Sequence, residues 1–158
     1  MASFSTSSRS AATVSASPEE VWAALTDPDQ VARMTPFLKS VRERGEHWVW
    51  EMTRVPVLGR SFSFTFTERM TFDEPHRIDF AHDPAAGSGD ESAGVEGWYR
   101  LTPRSHGTHL ETSMAITVEL PFPGVTRPAV TTAMKGVVAL MGQRFSHNLL
   151  EHLGARTA

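Results

Sequence analysis

The stretch "SFSFTFTERMTF", residues 61–72, alternates with a period of two: Phe62, Phe64, Phe66, Met70 and Phe72 share one parity, and Ser, Thr and Arg take the other. That period belongs to a β-strand with one face buried. Glu68 breaks the alternation, because its carboxylate has the parity of five large apolar side chains. A charge in that position must pair, take up a proton, or lie beside water or a ligand. The strand therefore fixes a sheet and also raises the question of what lies on its apolar side.

Moving outward, further strands flank it: "FLKSVRER" and "HWVWEMTR" before, "HRIDFAH", "GVEGWYRLT" and "THLETSMAITVEL" after. Gly45 marks one hairpin, Gly59 follows a break at Pro56, Pro75 separates the next pair, and "PRSHG" at 103–107 closes the last. Short connections of this kind predict an antiparallel meander. The segment "DPAAGSGDESAG", residues 83–94, is rich in Gly, Ser and Asp and reads as a mobile hairpin loop.

Helices bracket the strands. In "SPEEVWAAL" Ser17, Pro18 and Glu20 form a capping box, with Val21, Trp22 and Leu25 as the apolar stripe. A second short helix starts at Asp27 and Pro28 and stops before Pro36. Ahead of them Ala12, Val14 and Ala16 alternate with polar residues as a first strand. The serine-rich, acid-poor start "MASFSTSSRSAATVSAS" also has the composition of a transit peptide, though without the apolar run of a secretory signal. At the other end, apolar residues at 130, 134, 137, 138, 141, 145, 149 and 153 line one face of a long helix that Gly154 ends. Gly136 and Gly142 inside it each cost about 0.8–1 kcal/mol against Ala, which points to close approach or open space.

The 158 residues suit one domain, 1–158, able to bury roughly 70% of the surface of the unfolded chain. With 40% hydrophobic and 21% charged residues and a net charge of −3, the composition is that of a soluble globular protein without the basic stripe of a nucleic-acid binder. The absence of cysteine removes disulfides, thiol nucleophiles and thiolate metal sites and fits a cytoplasmic chain. No apolar run approaches the roughly 20 residues that span a bilayer. The seven histidines are scattered: His106 and His109 flank a turn, and His147 and His152 are five apart on a helix, so no metal site is expected. Nor is there a nucleophile elbow, phosphate loop or dinucleotide fingerprint, and no cofactor is expected.

Strand, two short helices, six strands and a long C-terminal helix is an α+β order. With "VSASPEEVWAALTDPDQVARMTPFLKSVR" (residues 14–42), the hairpin "GWYRLTPRSHGTHLE" (97–111) and the terminal helix, the chain resembles the SRPBCC or START-related superfamily. Its members include polyketide cyclase/dehydrase-like proteins, coenzyme Q-binding proteins, plant pathogenesis-related allergens and activators of chaperone ATPases. The resemblance implies a helix-grip fold, a curved antiparallel sheet of about seven strands wrapped around the last helix, with a hydrophobic cavity between them. It also implies a mouth formed by "RVPVLG" at 54–59 and "PFPGVTRP" at 121–128. No shared catalytic signature comes with it.

If the apolar parity faces that cavity, the expected ligand contacts are Trp48 and Trp50, Phe64, Phe66 and Glu68, Phe80, Tyr99, Thr112 and Met114, and from the helix Met134, Val138, Met141 and Phe145. Few polar groups stand among them: Glu68, His82, Tyr99 and Thr112, a mixture typical of small-molecule sites. The same aromatic and Met residues also serve as plain core. Glu68 faces the cavity or, where the strand bulges, pairs with Arg100 or Arg144. Tyr99 is a ligand contact or a satisfied core phenol, His82 a site residue or an exposed strand end, and Trp98 has the opposite, convex parity.

Three functions fit. The first is binding of a hydrophobic or aromatic small molecule, such as a lipid, quinone or polyketide. The second is a polyketide cyclase/dehydrase-type enzyme in which Glu68, Tyr99 or His82 moves protons. The third is a protein-interaction module of the chaperone-activator type that uses the convex sheet. Edge strands and Trp98 are compatible with a monomer or a homodimer.

Overall fold

A computed structural model describes residues 2–157. The chain runs β1 (Ala2–Val14), α1 (Pro18–Leu25), α2 (Pro28–Met34), β2 (Leu38–Arg44), β3 (His47–Val57), β4 (Arg60–Asp73), β5 (Arg77–His82), β6 (Ala93–Arg104), β7 (Gly107–Leu120) and α3 (Arg127–Leu153), with short 3-10 turns at Pro84–Ala86 and Gly124–Thr126. The seven strands form one antiparallel sheet in the order β1-β7-β6-β5-β4-β3-β2, and the 27-residue α3 lies across its concave face. This is the helix-grip architecture.

Local chemistry sets the helix ends. Ser17 Oγ accepts the Glu20 N–H at 3.2 Å and donates to Glu20 Oε1 at 3.0 Å, the reciprocal cap read from the sequence. Asp27 caps α2 by accepting from the Asp29 and Gln30 amides. Gly154 takes φ 62°, and its N–H reaches Glu151 O at 3.2 Å. Asn148 then ties α3 to α2, donating to Met34 O at 3.0 Å.

Three sequence expectations change. The first strand does not begin near Ala12: the serine-rich stretch from Ala2 pairs with β7 throughout, from Ala2↔Leu120 to Val14↔Thr108, and buries Phe4 and Thr6 on its inner parity. Pro56 is no break, since β3 continues to Val57. The irregularity falls between Met52 and Val55, where a bulge with Arg54 at φ 58° resets the parity so that Val55 and Val57 turn inward. The loop after β5 is anchored rather than free. Glu91 accepts from the Thr67 N–H (2.9 Å) and hydroxyl (2.8 Å), taking the place that β5 vacates beside β4. His47 Nε2 lies 3.0 Å from Asp83, holding that carboxyl below its ordinary pKa, and Arg44 donates to Ala86 O.

The core divides in two. One cluster joins α1, α2 and the C-terminal end of α3 to the sheet through Val21, Trp22, Met34, Trp48, Met70, Ile78, Leu101 and Leu149. The other joins the N-terminal half of α3 to the opposite end through Phe4, Met52, Phe64, Phe66, Val118, Leu120, Val130 and Met134. Close backbone approaches of α3 are made to β1, β3, α1 and α2, and none comparable to the central strands β4–β7. Side chains still bridge from α3 to the central strands, with Val130 and Met134 in one cluster with Phe64 and Phe66 of β4 and Val118 of β7. Gly136 and Gly142 lie on its exposed side with no atom near a would-be Cβ, so they serve open space, not close packing.

Candidate functional site

The decisive strand stays regular. β3 and β4 pair without a slip from His47↔Arg69 to Met52↔Phe64, and β4 and β5 from Glu68↔His82 to Asp73↔Arg77. A one-residue slip would have turned Glu68 to the outside. Instead it points inward and is only 2% exposed. Along β4 it sits between Phe66 of one cluster and Met70 of the other, at the seam of the two cores.

Neither arginine proposed from the sequence reaches it. Arg100 is on the convex face 3.8 Å from Glu111, Arg144 is exposed on α3, and Glu68 enters no ion pair among the described residues. Burial drives its carboxyl pKa well above the ordinary 4.5, opposed only in part by the nearby indole N–H of Trp50. That approach falls short of a well-formed hydrogen bond, and Trp50 Nε1 is left buried and without a partner. Burial without a charged partner thus favours the protonated form of Glu68.

Tyr99 of β6 shares the inward parity, in register with Ile78 of β5 and through it with Phe72 of β4. Its pKa is pushed up by desolvation first and by the Glu68 charge second, so the phenol keeps its proton. Its ring packs 5.8 Å from that of Phe80, while Trp50 stacks on Phe66 at 5.7 Å. Thr6 Oγ1, facing in from β1, is a further buried polar atom without a partner. The Glu68 carboxyl, the Tyr99 phenol, the Trp50 indole N–H and the Thr6 hydroxyl are thus the polar groups on an otherwise apolar inward face.

The residues expected there separate by depth. Trp48, Phe64, Phe66, Phe80 and Met134 are buried and belong to the two clusters. Trp50, Tyr99, Thr112, Met114, Val138, Met141 and Phe145 are half-buried although they lie on the sheet's inward parity or on α3. These inward-facing groups keep contact with solvent. Thr112 is already engaged, donating to Trp98 O at 3.2 Å. His82, opposite Glu68 in register, turns to Glu91, with Nε2 2.9 Å from Oε1, and its ring packs over Gly94, where a Cβ would come within 2.3 Å. Phe72, of the same parity, is 45% exposed at the far end, edge-on to Trp22 at 6.0 Å.

Thr6 and Val95 were missed. Val95 has the parity of Tyr99 and could have been found by carrying the alternation through Gly97; Thr6 required recognising that β1 starts at its first residues. Glu91 gave no local signal, because its partner Thr67 is 24 residues away.

Outside the grip, two open depressions of about 450 and 240 Å³ run along the convex face over Ser7, Ala115 and Gly94. Beside the larger, Trp98 is half-buried under the guanidinium groups of Arg77, Arg100 and Arg9 at 4.9, 5.1 and 5.5 Å from its ring. Among the described residues no three His or carboxylate side chains converge as a metal site, and no helix is long and apolar enough to cross a membrane.

Comparison with known proteins follows this geometry. No curated protein matches the chain. Among solved structures, a conserved protein from Geobacillus kaustophilus superposes with a TM-score of 0.69 at 17% identity, covering 94% of this chain and 95% of that one. The Zhui aromatase/cyclase from a Streptomyces species gives 0.66 at 17% identity, covering 96% and 94%, and a START superfamily protein from Mycobacterium smegmatis gives 0.63 at 15%, covering 95% and 97%. At these identities the likeness is one of fold. The sequence itself decides the family: residues 1–154 match the model for polyketide cyclase/dehydrase and lipid transport, and the chain belongs to that family.

Proposed function

We propose that the protein binds a hydrophobic or aromatic small molecule, of lipid, quinone or polyketide type, between the sheet and α3. The observation that carries this reading is the Glu68 carboxyl, buried without an ion-pair partner at the seam of two hydrophobic clusters, on an inward face where Trp50, Tyr99, Met114 and Phe145 keep contact with solvent. Fold stability alone favours an apolar residue there, since a buried polar group without partners is a net cost. A ligand carrying a hydrogen-bond acceptor would remove that cost and fill the apolar space around it. Half-buried Trp50, Met114, Met141 and Phe145 supply its contact surface.

A second reading, a cyclase/dehydrase-type enzyme, is favoured by one specific feature: burial favours the protonated form of the Glu68 carboxyl, which suits a proton donor, and the Tyr99 phenol lies on the same inward face. In that case Glu68 gives its proton to a ligand oxygen and Tyr99 orients the same group.

The test is native mass spectrometry of the protein purified from its own host. A bound hydrophobic molecule is expected, with occupancy reduced about tenfold in Tyr99→Phe through the lost hydrogen bond. A protein that carries nothing, and whose Tyr99→Phe variant takes up the fluorescent apolar probe anilinonaphthalene sulfonate as the wild type does, would refute the ligand reading.

A further inference from the structure

We infer that the loop end of the grip docks on an anionic lipid surface. The turn between β3 and β4 and the segment leading into α3 meet at this end: the rings of Phe62 and Phe122 lie edge to face at 5.9 Å, and the Arg60 guanidinium covers both at 5.3 and 5.7 Å. From the tips of the two loops project Leu58, 46% exposed, and Val125, 87% exposed. They are two of the four large apolar side chains exposed among the described residues.

The two loops themselves carry charge of one sign. "RVPVLGR" at 54–60 and "PFPGVTRP" at 121–128 contain Arg54, Arg60 and Arg127 and no carboxylate, in a chain whose net charge is −3. All three arginines are exposed, and none enters an ion pair among the described residues. Arg60 and Arg127 lie against aromatic rings, the latter 4.9 Å from Phe4, which fixes the charge at the surface without neutralising it.

Apolar tips ringed by uncompensated cations are poorly served by water. An interface of anionic headgroups serves both, since the tips sink to the acyl boundary while the guanidiniums pair with phosphate. The shape selects lipid over an acidic protein. Leu58 and Val125 stand out on turns at Gly59 and Gly124, where nothing lies within 4 Å of a would-be Cβ, so they protrude instead of lining a hollow that receives a partner's side chain. This reading rests on the outer surface alone and does not depend on what the interior holds.

Co-sedimentation of the full chain with vesicles tests it. With phosphatidylcholine containing about one third phosphatidylglycerol the protein is expected to pellet; with phosphatidylcholine alone, or in about 0.5 M salt, it stays in solution. Val125→Asp lowers partitioning at least about fivefold, and Arg54→Gln with Arg60→Gln about thirtyfold. Arg9→Gln on the convex face leaves it unchanged. Melting curves report the fold of each variant, and Val125→Asp, at a side chain so exposed, keeps the test open should the arginine pair unfold. Absence of binding to the anionic vesicles, equal binding to both kinds, or loss with Arg9→Gln in place of Arg54 and Arg60 would overturn the inference. So would retention on immobilised polyglutamate without vesicle binding, which would point to an acidic protein.

Discussion

Replacing Glu68 with Gln keeps the size and hydrogen-bonding shape of the side chain and removes its ionisation. In the folded protein burial makes this carboxyl hold its proton more tightly than the unfolded chain does, where the pKa is near 4.5. The stability linked to that proton is therefore fully present below the unfolded value and is lost as pH rises toward the folded one. Over the interval in which the folded protein keeps a proton that the unfolded chain has released, the wild type loses ~1.4 kcal/mol per pH unit from this group. In a chain of this size that corresponds to roughly 3–5 °C of melting temperature per pH unit. Glu68→Gln lacks this loss. Its buried amide carries a desolvation cost of about 1–3 kcal/mol, but that cost does not change with pH.

The slope of the difference is thus the diagnostic, not its size at one pH. Thermal melts followed by circular dichroism at pH 5, 6 and 7 should show the Glu68→Gln melting temperature gaining on the wild type at each step, with every other titrating group cancelling between the two proteins. Parallel profiles would mean that Glu68 is solvated or paired in solution. A variant that loses ground as pH rises would mean a stabilised carboxylate. Either result would refute the reading of β4 as regular through this position.

Three further substitutions probe the frame around the site. Val138→Trp fills space beneath α3, so uptake of anilinonaphthalene sulfonate should fall at least about fivefold while the melting temperature stays within a few degrees; a collapse of stability would show that the helix and sheet are already in contact there. Gly97→Ala places a Cβ 2.0 Å from Ser113 O and 2.8 Å from Met114 Cα, both backbone of the neighbouring strand, and should lower stability by more than about 2 kcal/mol in denaturant titration. Asn148→Ala leaves Met34 O without its donor and should cost about 1–2 kcal/mol, with faster amide exchange in α2 before the rest of the chain.

What could be read in the residues was local. Ser17 and Glu20 are three apart and cap the same turn whatever surrounds them, and the alternation from Phe62 to Phe72 needs only its own strand to declare a buried face. What could not be read depended on pairing across distance. The inner parity of β1 carries Phe4 and Thr6 among serines, a composition that becomes a strand because β7 supplies hydrogen bonds along all of it. Pro56 lies inside β3 because the bulge at Thr53 and Arg54 shifts the register before it. Glu91 and His82 find each other at a gap in the sheet that no spacing announces.

Glu68 belongs to both classes, and so does the site. Its misplacement in the alternation was visible at once, yet only the unbroken register of β4 against β3 and β5 turns it inward, while the same pairing sets Tyr99 in line with Ile78 and Phe72 and leaves His82 and Thr112 committed elsewhere. The same register explains why the group is tolerated. With Phe66 anchored in one cluster and Met70 in the other, the residue between them belongs to neither. A large apolar side chain at 68 would extend one core into the other; the carboxyl interrupts that continuity at the cost of its own burial.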